Sequence, residues 1–197
     1  MTRKPIVYVN KIDNLSDARY CAGMGVDYLG ISIEPESIDY VSPEKFKEIE
    51  RWVSGPKWVI QTNHYLANLG LGVEIKKYSS ASAIHIKNNI YESIEPSINC
   101  IVEMSFNDWI ENEIDLNKIH PNLLFVVLNN LPNYDYLVHS LKSSLHTNPC
   151  LLKLEKHQNI WAQTLIIDTD VAGFMVHGEK EIETGLKNYD YLNNILE

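Results

Sequence analysis

Short apolar runs recur along the chain, and the stretches between them carry apolar residues at helical spacing. The runs are Ile6–Val9, Asp27–Ile33, Lys57–Thr62, Ala83–Lys87, Cys100–Ser105, Leu123–Leu128, Cys150–Leu154 and Gly173–Val176. Most are nearly continuous in Val, Ile, Leu and Phe, which suits parallel strands covered by helices. Asn14 or Ser16 can cap a helix running to Met24, with Gly25 beyond its end. In SPEKFKEIERW, Ser42 is the expected N-cap and Pro43 the first helical residue. Further helices are expected after Asn107-Asp108, after Pro132-Asn133, over His157–Ile167, and in the closing KNYDYLNNILE. The segment after Ile90 leaves room for only a turn or two before Pro96.

Eight strands alternating with helices in 197 residues predict an α/β chain folded as one compact (β/α)8 TIM barrel spanning 1–197. An open doubly wound sheet is the runner-up, with unusually many units for that architecture. No Gly-x-Gly-x-x-Gly and no Walker-type loop is present, which weighs against a nucleotide-binding sheet. A barrel puts any active site at the C-terminal ends of its strands.

Composition narrows the partners. The chain is 45% hydrophobic, enough for one sizeable core, and its formal net charge of -9 repels phosphate backbones. The basic runs near Lys76-Lys77 and Lys153–Lys156 are short and mixed with acids, so nucleic acid is not an expected partner. MTRKPIVYVN holds no signal-length apolar run and no stretch has transmembrane length, so a cytoplasmic location with no membrane partner is expected. Cys21, Cys100 and Cys150 lack metal or disulfide spacing and read as buried filler. No His/Asp/Glu trio has ligand spacing, so neither metal nor other cofactor is expected. A monomer and a homodimer are both compatible with the sequence.

The opening of the chain resembles the phosphoribosylanthranilate isomerase family of tryptophan biosynthesis. YVNKID, SDARYCAGMGVDYLGISI and ESIDYVSPE match that family's K-I-C-G strand end, D-A helix, G-A-D-Y-L-G-F-x-F and S-P-R-Y-V-S-P. FMVHGEKEIETGLKN is similar to its last strand with S-S-G-V-E and P-G-x-K-D. Between Lys57 and Trp161 the resemblance rests on element order. The family reaction is an Amadori rearrangement that removes a proton from a sugar carbon and delivers one to the ring oxygen. The resemblance places the family's general base at Asn10, with Lys11 where a glycine follows, and its general acid at Asn129. Asp39 stands for the substrate-binding arginine, and His177-Gly178 for part of the phosphate loop. The glycine pair after the seventh strand and the G-G-x-G loop after the sixth have no counterpart.

If Tyr8 and Asn10 point inward, alternation puts His85, Lys87, Glu103, Ser105, Lys153 and Glu155 in the lumen, with Gln61 and His177 near the mouth. Three readings follow. The chain is an isomerase with substituted acid and base. Or it is catalytically degenerate for that reaction and binds a small molecule or a protein at the mouth. Or it runs a different chemistry, with Lys153 as Schiff-base amine, Glu103 its partner and His85 a proton shuttle. The plain alternative to the last is a Glu103–Lys153 pair filling the core with His85 satisfied beside it. His64, His120, His139, His146 and His157 are read as helix or loop residues without a site role.

Overall fold

The computed structural model describes residues 4–62, 76–78, 80–87, 97–111, 121–143, 148–177, 181–183, 186–187, 192 and 195–196. Its centre is a closed barrel of parallel strands in chain order. They are β1 Ile6–Asn10, β2 Tyr28–Ser32, β3 Lys57–Thr62, β4 Ala81–Lys87, β5 Cys100–Ser105, β6 Leu123–Asn129, β7 Cys150–Lys153 and β8 Gly173–His177. β8 pairs back onto β1, from Ile6↔Gly173 to Asn10↔His177. Every apolar run of the sequence is one of these strands, because a strand walled on both faces has no polar side to interrupt it.

The caps follow the same logic. α1 Leu15–Gly23 starts where the Asn14 side chain accepts the Asp17 N–H at 2.9 Å. It ends before Gly25, whose φ of 78° is the left-handed position that terminates helices. α2 Pro43–Glu50 is capped by Ser42, which accepts from Lys45 N at 3.2 Å. Asn133 accepts from Tyr136 N at 3.1 Å and opens the helix Tyr134–Ser143.

Other expectations are corrected. The helix Phe106–Glu111 begins directly after β5, capped by Ser105 and not by Asn107-Asp108. Ser105 Oγ accepts from Asp108 N at 3.0 Å and donates to the Asp108 carboxylate at 2.6 Å, so this hydroxyl serves the helix and not the lumen. β7 stops at Lys153, and the chain turns outward into a 3-10 turn, Lys156–Trp161, before the helix Ala162–Asp168. Glu155 is therefore exposed and caps that turn, outside the lumen set. Lys187 lies in an antiparallel pair of short strands, Glu181–Glu183 and Leu186–Lys187, and not in the closing helix, of which Leu192, Ile195 and Leu196 are helical. The turn expected after Ile90 lies outside the described residues.

Two apolar layers result. Outward-facing strand residues such as Val9, Ile31, Val102 and Phe174 pack against Ala18, Phe46, Trp109 and Leu165 of the helices. Inside, Tyr8, Val59, Ile101 and Leu151 of the odd-numbered strands fill one level. Gly30, His85, Val127 and Met175 of the even strands form the next, and Asn10, Gln61, Glu103 and Lys153 the one above. The lumen thus changes from apolar to polar toward the C-terminal strand ends.

Gly30 makes this top level possible. A Cβ there would overlap Asn10 Oδ1 and the Tyr8 ring and hydroxyl. Gly30→Ala is expected to cost ~1–3 kcal/mol through overpacking, read as a lower urea midpoint. An unchanged midpoint would show that the lumen is looser than this packing implies.

Candidate functional site at the barrel mouth

The two strand tips that the family resemblance singles out both carry amides held by neighbours. Asn10 is fully buried; its Nδ2 donates to Gln61 Oε1 at 2.6 Å, and its Oδ1 accepts from Lys11 N at 2.8 Å. The first bond crosses over β2, which Gly30 leaves clear of side chain. Asn129, at the end of β6, donates from Nδ2 to Glu103 Oε1 at 2.8 Å. Its Oδ1 has no hydrogen-bond partner among the described residues.

The residue after each tip is left-handed: Lys11 has φ 63° and Asn130 φ 53°. For a non-glycine residue this costs on the order of 1–2 kcal/mol, less for asparagine. The turn at Lys11 is followed by an ion pair with Asp39, Nζ to Oδ2 at 3.2 Å. Asp39, which stands for the family's substrate-binding arginine, is thus paired with a cation. Both groups are partly exposed, so the pair contributes little stability.

The centre of the level is Glu103, 1% exposed. Its Oε1 accepts from Lys153 Nζ at 2.9 Å as well as from Asn129, and its Oε2 lies 3.2 Å from His85 Nε2. Neither atom makes a well-formed hydrogen bond at that approach. Burial alone would raise the Glu103 carboxyl, but His85, Lys153 and Asn129 together hold it well below the usual carboxylate range. His85 is pushed the other way: complete burial, against the pull of Glu103, lowers its pKa and keeps it neutral. A neutral ring with Nε2–H toward the carboxylate presents Nδ1 as acceptor to the Tyr8 hydroxyl, 3.1 Å away. Tyr8 itself stays protonated, raised by burial and by the Glu103 charge.

One level higher stand Ser32, Lys87, Asn129 and His177, again from the even strands. Burial lowers the Lys87 amine, and nearby Lys153 and Lys11 lower it further against the opposing pull of Glu103. His177 is lowered to about 3, first by burial and then by Lys153 and Lys11. Beside them Thr62 donates its hydroxyl to the buried carboxylate of Glu34.

This arrangement has a pH signature. A histidine whose folded pKa is depressed lets the unfolded chain bind the extra proton, so its stabilising contribution is complete above about 6.5 and lost as pH falls. His177 carries that loss down to about 3. Glu103, also depressed, adds a loss of the same sign below the ordinary carboxylate range. The urea midpoint is expected to fall steadily from pH 7 to pH 4, each histidine contributing at most ~1.4 kcal/mol per pH unit. A flat midpoint from pH 7 to 5 would mean that neither ring is buried neutral.

The structure thus brings Glu103, Lys153, His85 and Asn129 into one cluster and holds Asn10 on Gln61 at the same end of the lumen, with Lys11 and Asp39 paired at the rim and His177 above. Gly178, His64, His120 and His146 lie outside the described residues. His139 is on the helix Tyr134–Ser143 and His157 is exposed on the 3-10 turn. Burial pushes the Cys100 and Cys150 thiols up to about 12, which makes both inert filler. Among the described residues no group of three or more His, Cys, Asp or Glu could hold a metal ion. No helix there is long and apolar enough to cross a membrane. Sequence reasoning assigned no site role to Tyr8 and Lys87; their signal was the inward alternation that had already selected Asn10 and His85.

No protein-family model and no curated protein matches the chain. Solved structures do. The phosphoribosyl anthranilate isomerase of Thermotoga maritima superposes with a TM-score of 0.73 at 19% identity, over 98% of this chain and 97% of that one. A phosphoribosyl anthranilate isomerase in complex with reduced 1-(o-carboxyphenylamino)-1-deoxyribulose 5-phosphate gives 0.71 at 18%, over 98% and 96%. The N-(5'-phosphoribosyl)anthranilate isomerase of Pyrococcus furiosus gives 0.70 at 12%, over 98% and 96%. The chain shares the fold of these enzymes from end to end.

Proposed function

We propose that this chain is a small-molecule-binding barrel on the phosphoribosylanthranilate isomerase fold, degenerate for that enzyme's rearrangement. The observation that carries the reading is the state of the two strand tips. Asn10 and Asn129 do not titrate near neutral pH, and each amide is already committed, to Gln61 and to Glu103. An acid or base catalyst needs a proton it can exchange at working pH. The polar groups gather at the C-terminal end of the lumen above an apolar floor, which is how a ligand site is usually composed.

The test is turnover of phosphoribosylanthranilate by the purified, folded chain, together with growth of a tryptophan auxotroph lacking the isomerase. Neither turnover nor growth is expected. Either one would restore the reading of a working isomerase with substituted residues.

A further inference from the structure

Among the described residues, Glu103 is the carboxylate that both Lys153 and Lys87 neighbour at the centre of the mouth, and only Lys153 bonds it. Lys153 is engaged: its ammonium donates to Glu103 Oε1 at 2.9 Å. Asn129 takes the same oxygen at 2.8 Å, and His85 faces the other at 3.2 Å. Lys87 is the register neighbour of Glu103 on the adjacent strand, half-buried at the top of β4 and on the inward face with His85. Yet its Nζ has no hydrogen bond or ion pair among the described residues. An ammonium in that position is partly desolvated beside a second cation, the Glu103 charge that attracts it is already bonded by Lys153 and Asn129, and the neutral amine is the form such surroundings favour. Lys153, selected from the sequence as the candidate nucleophile, holds no lone pair while it donates to the carboxylate. The competent amine is the other one.

We propose that Lys87 captures a small aldehyde or ketone at the barrel mouth as an imine, with the Glu103-held ammonium of Lys153 as the proton donor. The inference rests on the mouth being a ligand site, as proposed above. The Lys87 nitrogen pair attacks the carbonyl carbon, and the C=O π pair moves to oxygen, which takes the proton shed by nitrogen to give a carbinolamine. Lys153 protonates the hydroxyl, the C–O bond breaks, water departs and the C=N bond forms. The iminium nitrogen or solvent returns the proton to Lys153. No oxidant or reductant is consumed. Burial beside another cation is a recognised way to activate a lysine, since each unit of lowered pKa raises the free-amine fraction about tenfold at neutral pH.

The experiment incubates the full chain at neutral pH with pyruvate or with glycolaldehyde in the presence of cyanoborohydride, then maps reduced adducts by peptide mass spectrometry. Lys87 is expected to label faster than the exposed Lys45 and Lys142. Lys87→Arg, which keeps the charge and length, is expected to abolish that fast site and leave slow surface labelling unchanged. Label spread evenly over exposed lysines, or found on Lys153 with Lys87 unmodified, overturns the proposal. Probes that shield Lys87 from acetic anhydride but leave no reduced adduct also overturn capture, while leaving ligand binding at the mouth intact. Turnover of phosphoribosylanthranilate would overturn the functional reading separately.

Discussion

The folded chain is expected to convert phosphoribosylanthranilate no faster than ~10⁴–10⁸-fold below an enzyme with a working acid and base. Each positioned proton transfer contributes ~10²–10⁴ in rate, so the loss of both costs on the order of 5–11 kcal/mol of barrier if the effects add. The structure gives little hope of a local substitute. Tyr8 stays protonated and sits two levels below Asn10; His85 is buried neutral between Tyr8 and Glu103. Glu103 is held ionised, with its Oε1 accepting from both Lys153 and Asn129, so it offers no proton to a leaving oxygen. His177 is neutral and next to the rim, but its depressed pKa makes it a weak base. The measurement is product formation by chromatography at saturating substrate, with circular dichroism confirming the fold. Turnover at an ordinary enzymatic rate would require one of these four groups to titrate otherwise.

The fold was legible because each level of the sequence pointed the same way. Unbroken apolar runs marked walled strands, and Asn14, Ser42 and Asn133 marked helix starts through side chains that bond locally. The misplacements occur where a local rule was carried one step too far. Alternation assigned Ser105 and Glu155 to the lumen, but a strand's period says nothing about where the strand ends. At Ser105 the hydroxyl finds orphan helix donors two atoms' reach away, and at Glu155 the chain has already turned outward. The site was legible as a face and not as a network. Period two selects Glu103, Lys153 and Lys87 alike. Which lysine takes the carboxylate depends on the twist of the sheet and on what stands between, and no sequence pattern encodes those distances. The Lys11–Asp39 pair, joining the end of β1 to the loop after β2, was hidden for the same reason.

Lys153→Met is expected to destabilise the protein by about 3 kcal/mol, the low end of what stranding one partner of a buried ion pair costs, because Asn129 and His85 still face the remaining carboxylate. Glu103→Leu is expected to cost less, ~1–3 kcal/mol, since the freed ammonium of Lys153 is 15% exposed and can reach water while Asn129 loses a partner. The double replacement Glu103→Leu/Lys153→Met is expected to recover most of both losses, because well-packed apolar residues commonly match or exceed a buried ion pair in stability. Urea unfolding of the four proteins reads the cycle directly. Strictly additive losses would mean that the pair is a structural plug in the barrel, irreplaceable by apolar bulk. Recovery carries the opposite implication: the charge at the top of the lumen is dispensable for folding. Its place beside Lys87, which has no hydrogen bond or ion pair among the described residues, is then not explained by what holds the barrel closed.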